Sequence, residues 1–134
     1  MYHDPISRSA EIAFSDLPRE EGEAWVEKFG RHSAVSFSNE LTFAGYKDIP
    51  VSYLLCENDL CIPAKTQKEG IEEIEKVSGR KVDVTSIKTG HCPSASKPQE
   101  VIDWILKVAG SVWRCWIAGM MSRKGIDYWD ALYW

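Results

Sequence analysis

Hydrophobic residues recur at helical spacing in the first third of the chain. In the stretch SDLPREEGEAWVEKFG, Trp25 and Phe29 lie four positions apart and share one helical face. Asp16 is the predicted N-cap of this helix, and Gly30 is the predicted stop. The acidic residues at positions 20, 21 and 23 stabilise the positive N-terminal end of the helix dipole. A weaker pattern of the same kind covers residues 33–46. The pattern therefore predicts two helices in this region.

Two short apolar runs farther along the chain predict strands. Residues 49–56, IPVSYLLC, form a nearly continuous apolar run, which is typical of a strand buried on both faces. Residues 81–88, KVDVTSIK, alternate apolar and polar positions, which predicts a second strand. Between them, residues 63–79 place apolar side chains along one side of a helix that ends at a glycine.

The order of these elements predicts an α/β fold. A loop over residues 89–96 leads into a last, strong helix pattern over residues 97–110. A strand, a helix and a strand at this spacing indicate two parallel strands joined by a right-handed crossover. Two parallel strands leave faces and edges uncovered, so we expect this segment to be the last part of a larger α/β sheet.

Charge and hydropathy narrow the classes of function. The formal net charge of −4 and the isoelectric point near 5.4 argue against nucleic acid or an anionic membrane as the main partner. The longest apolar stretch contains Asp103, Lys107 and Arg114, which argues against a membrane span. The first residues show no secretory leader. We therefore expect a soluble, cytoplasmic protein.

The cysteines at positions 56, 61, 92 and 115 are expected to be free thiols. None belongs to a CxxC pair, and a disulfide framework is typical of shorter secreted chains. Cys56 and Cys61 are expected to pack as small hydrophobic residues. Cys92 is not expected to be a nucleophile, because it points elsewhere than its neighbour His91. No metal or cofactor site is predicted, since no ligand spacing supports one.

A carboxylate and an imidazole follow the two predicted strands. Asp59 lies in the acidic turn after the first strand, and His91 lies in the loop after the second. Neighbouring parallel strands end at the same sheet edge about 5 Å apart, so these side chains can meet. A carboxylate that orients an imidazole is the acid–base half of a nucleophilic triad. Taken alone, Asp59 is also a common turn residue and His91 a common surface loop residue.

The two motifs together resemble a known family. IPVSYLLCENDLCIP with TGHCPSASKPQEVIDWI resembles the C-terminal part of an α/β-hydrolase-fold protein, and is most similar to small fungal esterase-like members. The resemblance implies that Asp59 is the triad acid and His91 the triad base. It also implies that complete relatives hydrolyse carboxylic esters or similar acyl bonds, often in fungal secondary metabolism.

The resemblance, over about residues 10–110, implies a cap or lid segment (1–47) and a C-terminal α/β-hydrolase core segment (48–110). Residues 111–134 fall outside it and form an aromatic-rich tail of unknown role. For the tail, three interpretations stay open: a helix packed on the body through Trp113, Trp116 and Met120, an interaction surface, or an end that is not an evolved feature of the fold.

The chain departs from the family at the nucleophile. The family holds its serine in a Gly-x-Ser-x-Gly elbow, and the 134 residues contain none, since Gly30 and Ser33 have the wrong spacing. We therefore expect a truncated chain that begins inside the cap and is inactive alone, unless a separate polypeptide supplies the serine. The rival hypothesis is a non-catalytic binding or regulatory module, or a degenerate remnant. Such a module would bind a protein partner or a second copy through its open sheet edge or its tryptophan-rich tail.

Overall fold

The computed structural model describes residues 5–30 and 33–124, with side chains described up to residue 111. The chain forms two compact units, one extending to Pro98 and the other starting at Gln99. The elements in chain order are α1 (Ile6–Ala13), α2 (Arg19–Val26), two 3₁₀ turns (Ala34–Phe37 and Gly45–Lys47), β1 (Ser52–Cys56), α3 (Ala64–Ser78), β2 (Asp83–Ile87), α4 (Pro93–Ser96) and α5 (Pro98–Lys124).

The two strands pair in parallel, as the crossover argument predicts. Their register runs from Ser52 opposite Asp83 to Cys56 opposite Ile87. Burial is uneven, because the last two residues of β1 are buried while Val84 of β2 is 42% exposed. The prediction of a first strand buried on both faces therefore holds only for its carboxyl end. The α/β class and the parallel arrangement are confirmed.

Helix α3 covers β1 with one apolar face. Leu55, Ile71 and Val82 form a buried cluster that joins the strand, the helix and the entrance to β2. The predicted end of this helix is confirmed at Gly79, which has a φ of 67° in the left-handed region that glycine tolerates best. Val77 is 39% exposed, so the buried face is narrower than the sequence pattern indicates.

Helices α1 and α2 pack against each other around a second buried cluster. Its members are Ala10, Ala13, Phe14 and Val26. The helices approach closely at Gly22, where an added Cβ would lie 3.1 Å from the Cβ of Phe14. No helix is predicted from the sequence over the residues of α1. Its short apolar pattern lacks capping residues, and the helix is stabilised by the packing of α2 instead.

The predicted bounds of α2 need correction at both ends. The N-cap is Pro18, and the prediction of Asp16 as N-cap is wrong, because its carboxylate accepts a hydrogen bond from a distant backbone amide. The helix ends at Val26, so Phe29 lies beyond it instead of completing a helical face. The ring of Phe29 still contacts the ring of Phe14, with centroids 5.6 Å apart.

The weaker helix predicted over residues 33–46 is wrong. This region contains only the two 3₁₀ turns, and its apolar side chains are exposed, with Phe37 at 71% and Phe43 at 72%. Serine side chains bond to nearby backbone groups: the Ser36 hydroxyl donates to the Ser33 carbonyl, and the Ser38 hydroxyl donates to the Val35 carbonyl. Such local bonds compete with a regular helix.

The second unit contains the long helix α5. The helix predicted over residues 97–110 is confirmed, and it continues without interruption past Gly110 to Lys124. The side chains of Trp113, Trp116 and Met120 lie outside the described ones, so their packing stays a prediction. Within residues 5–30 and 33–124, none of the helices combines the length and the apolar character that crossing a bilayer requires.

Candidate active site

Asp59 and His91 meet at the carboxyl ends of the two strands, as predicted. The Nδ1 atom of His91 lies 2.9 Å from Oδ2 of Asp59. The Asp59 side chain is only 5% exposed, whereas the His91 side chain is 32% exposed. A carboxylate on Nδ1 leaves Nε2 on the opposite side of the ring, the nitrogen that exchanges a proton with a reacting group in acid–base catalysis.

The other oxygen of the Asp59 carboxylate closes the acidic turn. Oδ1 accepts hydrogen bonds from the backbone N–H groups of Cys61 at 2.7 Å and Ile62 at 2.9 Å. The turn residue and the partner of His91 are therefore the same side chain, with one oxygen for each task. Because Oδ1 is fixed by two donors, the carboxylate cannot rotate freely and Oδ2 stays directed at the imidazole.

A buried glutamine that was not among the predicted site residues holds the ends of this turn together. The Gln67 amide donates to the carbonyls of Cys56 at 2.9 Å and Ile62 at 2.8 Å, and its oxygen accepts from the N–H of Cys56 at 3.1 Å. Gln67 is 5% exposed. The sequence signal was a polar residue four positions before Ile71, on the apolar side of α3, where burial requires hydrogen-bond partners.

The loop that leads to His91 is hydrogen-bonded to two other segments of the chain. The N–H of Asn58 donates to the carbonyl of Thr89 at 3.1 Å, and Thr89 is fully buried. The next residue, Gly90, donates its N–H to Oδ2 of Asp16 at 2.8 Å. The residues just before His91 are thus bonded both to the Asp59 loop and to the turn between α1 and α2.

The three described cysteines, Cys56, Cys61 and Cys92, are free thiols. Burial raises the pKa of the Cys92 thiol, and the nearby Asp59 charge raises it further. Cys92 packs against the α1–α2 cluster. At neutral pH it is therefore a protonated thiol in an apolar contact, which does not favour nucleophilic attack. Cys56 is buried as expected, but Cys61 is exposed, so its predicted packing as a small hydrophobic residue is wrong.

Metal binding is the other chemistry that a carboxylate and an imidazole can supply. Among residues 5–30 and 33–124, no group of three or more histidine, cysteine, aspartate or glutamate residues is arranged to hold a metal ion. Asp59 and His91 are two ligands at most, and the Asp59 carboxylate already accepts hydrogen bonds on both oxygens.

Comparison with known proteins gives two relatives, although no protein-family model matches the chain. A probable hydrolase of Phoma sp. is 40% identical over 79 residues, which are 59% of this chain and 32% of that protein. An alpha/beta hydrolase of Aspergillus novofumigatus is 29% identical over 85 residues, which are 63% of this chain and 32% of that protein. The chain thus spans about a third of the length of the curated relatives it matches.

Proposed function

Over the part that these relatives match, the chain is related to the α/β hydrolase superfamily, and from that premise we propose that it supplies the acid and the base of an acyl hydrolase. In this proposal Asp59 orients His91, and His91 activates a serine that a nucleophile-bearing part provides. The substrate is a small-molecule carboxylic ester or a similar acyl compound, and fungal secondary metabolism is the proposed setting. The chain alone is inactive.

The observation that carries the proposal is the 2.9 Å contact between Asp59 Oδ2 and His91 Nδ1 at the ends of adjacent parallel strands. The serine hydroxyl gives its proton to Nε2 of His91 while its oxygen attacks the ester carbonyl. The imidazolium, stabilised by Asp59, then protonates the leaving alkoxide, and an acyl-serine ester forms. Water, deprotonated by the same Nε2, hydrolyses that ester and restores the serine.

A chimera tests the proposal. The matched segment of the Phoma hydrolase is replaced by this chain, so that the relative supplies the remaining two thirds of the fold. We expect turnover of p-nitrophenyl acetate, lowered by about four orders of magnitude in D59N and H91A chimeras. D48N, a matched change of an exposed aspartate, serves as the control and should leave turnover unchanged. Equal turnover in the D59N and D48N chimeras would contradict the assigned role of Asp59.

The isolated chain provides the complementary measurement. We expect no turnover above that of its own D59N and H91A variants, because the sequence contains no Gly-x-Ser-x-Gly elbow. Turnover that disappears in both variants would mean that a nucleophile lies within these 134 residues. In that case the proposed division of the triad between two parts would be wrong, while the roles of Asp59 and His91 would stand.

A second candidate function, a binding module, is favoured by the edge of β1 that faces away from β2, where no other strand pairs among the described residues. The Val51 carbonyl and the Glu57 N–H bond to the β2 side, so by strand alternation the backbone groups of Ser52 and Leu54 point to the other side. Unpaired edge groups of this kind bind another strand. Sedimentation equilibrium over a range of concentrations tests self-association through this edge. A dimer that L54K returns to monomer supports the module, and a monomer throughout removes self-association.

We propose the cytoplasm as the location. The support is chemical, since the described cysteines are free thiols and reducing compartments keep thiols in that state. Fractionation of fungal cells that express the tagged chain measures this directly. Recovery of the chain in the culture medium with its cysteines oxidised would contradict the proposed location.

A further inference from the structure

The residues on both sides of His91 contact the α1–α2 pair. Before His91, the N–H of Gly90 donates to Asp16, a residue 74 positions earlier in the turn between the two helices. After His91, Cys92 and Ala95 pack against the buried cluster of the same helices. The loop that presents the imidazole is therefore held by the helix pair as well as by the sheet edge.

The contact at Gly90 requires a residue without a side chain. A Cβ at this position would lie 2.8 Å from Oδ1 of Asp16 and 2.8 Å from Oγ of Ser15, closer than Cβ atoms approach such oxygens. Gly90 is buried, and its N–H points at the carboxylate. A backbone N–H that donates to a carboxylate forms a hydrogen bond stronger than one to a neutral acceptor.

Three successive residues of the loop are fixed by three different partners. The carbonyl of Thr89 accepts from Asn58, the N–H of Gly90 donates to Asp16, and Nδ1 of His91 contacts Asp59. Asn58 and Asp59 both follow β1, so these two attachments hold the loop to the sheet. Asp16 is the attachment that comes from the helix pair.

The position of Asp16 is in turn set by Phe14. Phe14 is 4% exposed, and its carbonyl accepts the N–H of Leu17, which closes the turn that contains Asp16. The Phe14 ring also contacts the rings of Trp25 and Phe29, with centroids at 6.3 Å and 5.6 Å. The carboxylate that reaches Gly90 therefore projects from a turn anchored in the buried cluster.

We propose that Asp16 is a positioning residue for the base. By accepting the hydrogen bond from Gly90, it fixes the loop so that Nδ1 of His91 stays within hydrogen-bond distance of the Asp59 carboxylate. The consequence is that the α1–α2 pair controls whether the acid–base pair is assembled. The inference rests on the proposed function, because it is as the base that His91 is positioned. The assembly of the pair is itself measurable without turnover.

The test uses the full chain labelled with ¹⁵N. In wild-type protein the imidazole ¹⁵N shifts should report a single tautomer with the proton on Nδ1, and the Gly90 amide should exchange slowly. In D16A we expect Gly90 exchange to accelerate by about tenfold or more, and the His91 shifts to move toward the averaged values of a free imidazole. E20A removes an exposed carboxylate from the same segment and should change neither.

The conservative variants separate positioning from general stability. D16N keeps an acceptor oxygen at the same distance from the backbone and should retain the wild-type His91 shifts. D16E moves the acceptor outward by one methylene and should resemble D16A. This pair carries the test if D16A does not fold. Wild-type His91 shifts in D16E, or in a folded D16A whose Gly90 amide exchanges faster, would overturn the proposal, because Asp16 would then hold only the backbone.

The chimera assay distinguishes this inference from the proposed function. If D16A disturbs the His91 shifts and the wild-type chimera hydrolyses no ester, then the positioning role stands and the hydrolase proposal fails. If D16A leaves the shifts unchanged while D59N and H91A abolish turnover, the hydrolase proposal stands and the positioning role is wrong. The positioning role and the hydrolase proposal can therefore be contradicted independently.

Discussion

The acid and the base of the candidate site are held in opposite ways. Asp59 is fixed by neighbours in sequence: its Oδ1 accepts from residues two and three positions on, and Gln67 bridges the ends of the same turn across eleven positions. His91 depends on partners far away along the chain, Asp59 at 32 positions and, through Gly90, Asp16 at 74. One half of the pair is thus a local structure, and the other half needs tertiary assembly.

The two halves also belong to different buried clusters. The turn of Asp59 extends from the cluster of Leu55, Ile71 and Val82, whereas the His91 loop contacts the cluster around Phe14. Since proteins open locally in units that often follow such clusters, the His91 loop should be able to open while the Asp59 turn stays closed. Substitutions in one cluster should therefore leave the other part of the pair intact.

The largest effect is expected for F14A. Truncation of this buried ring should lower the free energy of unfolding of the α1–α2 pair by about 3 kcal/mol or more. The variant loses the hydrophobic free energy of the buried ring and also leaves a cavity. Amide exchange resolved by residue should show faster exchange in α1, in α2 and at Gly90. The amides of Cys61 and Ile62, which donate to Asp59, should keep their protection.

F43A is the matched control for this prediction. Phe43 is 72% exposed, so the same substitution should change the free energy of unfolding by no more than about 0.5 kcal/mol. If F14A exposes the Cys61 and Ile62 amides as strongly as Gly90, then both sides unfold as one unit. The contrast between a local acid and an assembled base would then be false.

Q67L should act on the acid side, with a somewhat smaller effect. The leucine fills similar space but leaves the N–H and carbonyl of Cys56 and the carbonyl of Ile62 without their partner, at a cost of about 2–3 kcal/mol. Urea denaturation measures the loss, and the Cys61 amide should exchange faster. Q99L, the same change at an exposed position of α5, should be close to neutral. Undiminished stability of Q67L would mean that water replaces the amide.

The sequence predicts the site better than it predicts the surroundings of the site. Asp59 and His91 could be paired in advance because both follow strands whose parallel arrangement is dictated by the short crossover. The turn at Asp59 could also be predicted, since its hydrogen bonds are local. The correct bounds of α3 follow from its periodicity and from Gly79.

Long-range contacts explain what the sequence does not predict. Asp16 has the residue type and spacing of an N-cap, and only the docking of the His91 loop directs its carboxylate to Gly90. Gln67 lies on the apolar side of the α3 pattern, which signals burial, but its hydrogen-bond partners at the two ends of the Asp59 turn become apparent only in the fold. The helix predicted over residues 33–46 fails because local serine bonds compete with a weak apolar pattern that gains little burial.

The smallest effect is expected from two glycines of α3, the helix that packs beneath the Asp59 turn. Gly79 ends α3 at a φ of 67°, so G79A places a side chain in the left-handed region and should lower the free energy of unfolding by about 1 kcal/mol. Gly70 lies inside the same helix with open space around an added Cβ, so G70A should raise it by about 0.5–1 kcal/mol. Because both changes are local, the His91 ring shifts should stay at their wild-type values in both variants, and urea denaturation should give opposite signs. Altered His91 shifts in G79A would show that α3 also controls the position of the base. That result would contradict the separation of the Asp59 turn from the His91 loop.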